Sequence, residues 1–191
     1  MGSKRAINLL RKNMVPAMSA KVETLAINGN ATIGDADADA HTMRGTMAGY
    51  RPLVESVTAN DTLTAAESGK IFVFADAAAV LTLPDSGGGD IIGVSYTFIS
   101  NFAATAQEVK CTDTTNEKMI GAILVGDTDD ITSGGTITAE AGDSFSSIEF
   151  TGATEGELGS HFTLTCYAAD RWHVTGVALS AGTSATPFAA S

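Results

Sequence analysis

The chain has 191 residues, 44% apolar and only 6% aromatic, with 20 glycines and a formal net charge of −11. That length accommodates one β-sandwich or barrel plus a smaller attached element, and the abundance of Gly, Ala and Thr favours short strands and tight turns over long helices. No run approaches the ~18 apolar residues of a membrane-spanning helix, and so acidic a chain excludes a duplex-binding face as its main surface.

The charge is unevenly spread. Residues 1–22 hold Lys4, Arg5, Arg11, Lys12 and Lys21 with no acid, whereas residues 54–191 hold four basic residues against 18 acids, a net −14. The split predicts a part that docks by a basic arm and turns an acidic body to solvent. Within the arm, Ile7, Leu10 and Met14 fall at helical spacing before Pro16 stops the pattern. A segment this short is not stable alone; ordering on a neighbouring subunit is its natural use. The apolar stretch over 7–18 is broken by Arg11, Lys12 and Asn13, so it lacks the core of a signal peptide and synthesis in the cytoplasm is expected. Cys111 and Cys166 fit a reducing compartment as small apolar residues, with their pairing left open.

Residues 23–50 change character. Leu25 and Ile27 alternate with polar residues, as do Ala31 and Ile33; His41, Met43 and Met47 continue the alternation, and Asn28-Gly29 and Gly34-Asp35 are turn signals. Such short strands cannot bury a core within one chain, but three copies wound about an axis can. The predicted trimer interface is Leu25, Ile27, Ile33, His41, Met43 and Met47. The run Gly29-Asn30-Ala31-Thr32-Ile33-Gly34-Asp35, followed by Asp39, Thr42, Gly45 and Thr46, resembles an element of tailed-phage appendage proteins: tail fibres, tail spikes and capsid decoration proteins. In them it lies in intertwined, trimeric β-structure near the attachment end. His41 and Arg44 stand where such elements often carry Val, Ile or Asn.

The main body begins at Arg51-Pro52. Alternation and turn signals predict strands over 54–58, 71–74, 80–83, 94–99, 108–111, 119–125, 136–138, 146–150, 161–167 and 172–178, with Asn60-Asp61 as a turn. That spacing predicts a β-sandwich or barrel over 51–178, jelly-roll-like, followed by a flexible tail over 179–191. The run from Leu63 through Glu67-Ser68-Gly69-Lys70, Leu83-Pro84 and Tyr96-Thr97-Phe98-Ile99, closed by Trp172-x-Val174-x-Gly176, resembles a domain of phage head-decoration and fibre proteins.

No catalytic, cofactor or metal site is predicted. Asp35, Asp37, Asp39 and His41 share one face of an extended strand, but the calcium-loop template needs Gly and Glu where Ala40 and Thr46 stand. Gly142-Asp143-Ser144-Phe145-Ser146 lacks the second glycine of a nucleophile elbow, and glycines 87–89 are not followed by the Lys-Ser/Thr of a phosphate loop. The resemblance implies a non-enzymatic virion protein, here read as a capsid decoration (cement) protein. It would form a homotrimer on the outer capsid surface and dock on the major capsid protein through Lys4, Arg5, Ile7, Leu10, Arg11, Lys12 and Met14. The alternative is a tail-fibre or head-fibre subunit whose β-domain binds a host surface glycan. Neither reading calls for nucleic acid or a membrane.

Overall fold

Alternation of apolar with polar residues, together with β-branched and aromatic side chains, places most of the strands. The computed structural model describes residues 51–101, 104–128, 134–140, 144–151, 156–181 and 185–190. The arm and trimeric element expected over 1–22 and 23–50 lie outside the described residues. The strands are β1 Val54–Val57, β2 Asp61–Thr62, β3 Ile71–Phe74, β4 Val80–Thr82, β5 Ser95–Ser100 and β6 Gln107–Lys110. They continue with β7 Lys118–Asp127, β8 Gly134–Ala139, β9 Ser147–Phe150, β10 His161–Ala168, β11 Arg171–Ser180 and β12 Phe188–Ala189. The only helical element among the described residues is the single 3₁₀ turn Ala65–Glu67, so the fold is all-β.

Two sheets form, one of seven strands in the order β1-β3-β5-β10-β11-β7-β8 and one of five in the order β12-β9-β6-β4-β2. The first six strands alternate between the sheets. Odd-numbered β1, β3 and β5 pair in parallel in one sheet, and even-numbered β2, β4 and β6 pair in parallel in the other. β11 and β7 are also parallel, whereas β10 runs antiparallel to both β5 and β11. A jelly roll is antiparallel, so its strand order is not the one found. The period of burial reveals which side chains point inward and leaves the choice of neighbour open. Here the links from β1 to β2 and from β3 to β4 cross between sheets, so no hairpin joins consecutive strands among β1 to β6, whereas β7 with β8 and β10 with β11 are antiparallel neighbours in both sequence and sheet.

The core lies between the sheets. β5 shows the pattern most clearly: Tyr96, Phe98 and Ser100 are buried while Ser95, Thr97 and Ile99 are half-buried on the other face. Phe72, Phe98 and Phe162 stand side by side on β3, β5 and β10, with ring centroids 5.7 and 5.0 Å apart, and Phe150 from the opposite sheet meets Phe162 edge-on at 5.3 Å. Each such ring contributes about 1.5–3 kcal/mol by burial, and the offset and edge-on contacts add to that. Tyr96 stacks on Trp172 and donates its hydroxyl to the Thr64 carbonyl at 2.7 Å. Gly176 is demanded by packing. A Cβ there would collide with the His161 carbonyl oxygen and with Phe162.

The C-terminal region differs from the tail expected over 179–191. β11 runs on to Ser180, and Phe188 pairs with Ile148 of β9 and is buried against Phe145. One apolar side chain among small residues carries no period, which is why the sequence pattern does not mark this strand.

Candidate functional site

The predicted docking residues Lys4, Arg5, Ile7, Leu10, Arg11, Lys12 and Met14 lie outside the described residues. So do the predicted interface residues Leu25, Ile27, Ile33, His41, Met43 and Met47, and the aspartates 35, 37 and 39. The described body offers two features with functional content: a loop cluster at one end of the strands and the outer face of the seven-stranded sheet.

The loop cluster is organised by Glu117, which is fully buried. Its Oε1 accepts from the Ser86 amide at 2.7 Å and from the Ser86 hydroxyl, and its Oε2 accepts from the Asp113 amide at 2.8 Å. Among the described residues no ion pair reaches it. Asp113 in turn accepts from the amides of Thr115 and Asn116 and from the Asn116 side chain, and these bonds hold its carboxyl below the usual aspartate range. The glycines at 87–89 therefore leave from an anchored residue. The carboxylate oxygens of Glu117 are committed to fixed donors, so the group acts as a clamp between the loops around Ser86 and Asp113. No sequence pattern marks Glu117, which lies between the strands expected over 108–111 and 119–125, and its main partner is 31 positions away.

The two cysteines are free and buried, and burial pushes both thiols up. At the opposite edge, Lys70 bridges Glu55 and Glu67 at 2.7 and 2.8 Å, and its hydrogen bond lowers the Glu67 carboxyl. Among the described residues, no group of three or more His, Cys, Asp or Glu side chains is placed to hold a metal ion.

The outward faces of the two sheets differ in charge. In register across the seven-stranded sheet run Val54, Ile71, Thr97, Thr163, Thr175, Ala122 and Thr138. The next outward row is Ser56, Val73, Ile99, His161, Val177, Leu124 and Thr136, and a partial third holds Ser95, Thr165, His173 and Ile120. None of these residues is acidic or a lysine or arginine; Lys118 and Arg171 pair only at one end. In the middle of the face the hydroxyls bond to one another, Ser95 with Thr165 at 2.9 Å and Thr97 with Thr163 at 3.1 Å. The five-stranded sheet instead turns Glu108, Lys110 and Glu149 outward beside Val80 and Thr82. Next to it, Asn60, Asp61, Thr62, Val80, Thr82 and Lys110 line a shallow hollow with no aromatic ring.

No protein-family model matches the chain, and no curated protein matches it.

Proposed function

We propose that this chain is a non-enzymatic structural protein of a tailed-phage particle: a homotrimer that decorates the outer capsid surface and holds it through the arm over 1–22. The observation that carries the reading is the distribution of charge. A body at net −14 has a broad face free of acids, while the first 22 residues bring five cations and no acid. Like-charged bodies associate through surfaces that bring no charge together, and a basic arm seeks an acidic partner such as a shell surface. The arm residues Lys4, Arg5, Arg11 and Lys12 would supply the attraction and Ile7, Leu10 and Met14 the apolar contact. Ordering the arm costs conformational entropy, which burial across several major capsid protein subunits offsets. The resemblance of residues 29–46 to trimeric appendage elements supports the same reading.

The test uses shells of the encoding phage stripped of this protein. Full-length protein is expected to cosediment with them, more weakly as ionic strength rises. A chain starting at residue 23 is expected to keep the circular dichroism of the body and lose the binding. Full binding by the shortened chain would overturn the arm's role.

A further inference from the structure

We propose that the outer face of the seven-stranded sheet is the seat of a neighbouring copy of this chain. The inference rests on the homotrimer proposed above and adds the surface that makes it.

Three observations single out this face and this occupant. First, charge: with 18 acids in residues 54–191, two copies repel through almost any approach, yet none of the outward residues in the three registered rows of this sheet is acidic. The five-stranded sheet has outward Glu108 and Glu149, so it would bring like charges together. Second, hydroxyl pairing: the polar residues at the centre of the face already bond to each other, Ser95 to Thr165 and Thr97 to Thr163. These four hydroxyls keep a partner when the face is covered, which lowers the desolvation cost at its centre. Third, area: strands about 4.8 Å apart, rising about 3.3 Å per residue, make this face about 30 Å by about 20 Å. Three such faces turned toward a common axis would bury up to about 1,800 Å² over the whole trimer, about 600 Å² at each of the three contacts, so the area counts for a closed trimer rather than for an isolated pair.

The apolar groups fall in two patches flanking the threonines. Val54, Ile71 and Val73 lie on one side, and Ile120 and Leu124 on the other, where Leu124 is 52% exposed. A cyclic trimer needs a heterologous contact, one patch of each copy meeting a different patch of the next. Two separate patches on one face meet that requirement.

The experiment compares the full-length protein with Val73→Glu/Leu124→Glu and, as a control on the other sheet, Thr82→Glu. Solution mass by analytical ultracentrifugation is expected to be three chain masses for the wild type and the control and one chain mass for the double variant. A trimeric double variant would overturn the assignment of this face and leave the trimer standing; a monomeric wild type would overturn both. A footprint that needs no variant runs beside it: His161 and His173 are exposed in the single chain, so carbethoxylation by diethyl pyrocarbonate should be slowed at least tenfold in the trimer. Full reactivity of both in a trimeric sample would overturn the proposal even if the double variant fails to fold.

Discussion

Replacing Glu117 with alanine would strand the amides of Ser86 and Asp113 and the Ser86 hydroxyl inside the protein. A buried donor left unpaired costs about 1–3 kcal/mol, and the hydroxyl, free to rotate, costs least. Two fixed amides, partly relieved by a water entering the vacated space, give a loss of about 3 kcal/mol. Glu117→Gln keeps one oxygen for Ser86 but turns an NH₂ against the other amide, so it should lose about 2 kcal/mol. Ser86→Ala removes only the hydroxyl bond, at about 1.5 kcal/mol. Urea unfolding followed by tryptophan fluorescence, at one protein concentration, reads all three. With a slope of about 2 kcal/mol per molar, Glu117→Ala should lower the midpoint by about 1.5 M. A shift of under about 0.3 M, or glutamine costing more than alanine, would refute the clamp.

Phe98→Ala should cost about 3–5 kcal/mol by the same assay, because the ring is fully buried between Phe72 and Phe162. A loss of under about 1 kcal/mol would mean the core collapses around the gap. Acid should destabilise the body through Asp113 and Glu67, whose folded-state carboxyls are held below their unfolded values. Each therefore stabilises fully above the unfolded carboxylate range, and the contribution is lost as pH falls through the depressed folded value. The urea midpoint should drop below about pH 4–5, less steeply in Glu67→Gln and Asp113→Asn; unchanged steepness in both variants would contradict the assigned hydrogen bonds. Cys111 and Cys166 should resist Ellman's reagent in the folded protein and both react in urea, since burial suppresses their thiolates.

Much of the strand pattern was legible because burial on one face writes itself as alternation. Ser95–Ser100 and His161–Ala168 fall within a residue or so of their expected limits for that reason. β2 was hidden because Asp61 is a turn former by type, and its pairing with Leu81 is decided by where the chain crosses between sheets. β12 was hidden because Phe188 stands alone among small residues. Parallel pairing has no local signature at all. The acid-free face was equally invisible strand by strand: each strand supplies only two or three outward side chains. Its character emerges when register adds Ile71 to Thr97, Thr163 and Ala122.

The alternate winding of β1 to β6 bears on how the chain reaches this state. None of those strands has a sequence neighbour as its partner, so none can zip up as a local hairpin. The shortest link between paired strands is the turn at Asp170, which takes positive φ and joins β10 to β11 at the centre of the larger sheet. Closing that turn costs little chain entropy, whereas pairing β5 with β10 must close a loop of some sixty residues. The folding nucleus is thus expected near the C-terminus, with the wound strands docking onto it afterwards. On the ribosome, residues 51–110 would emerge first and wait for their template, their apolar stretches uncovered until β10 arrives. High-level synthesis of such a chain favours partners or chaperones that shield those strands in the interval.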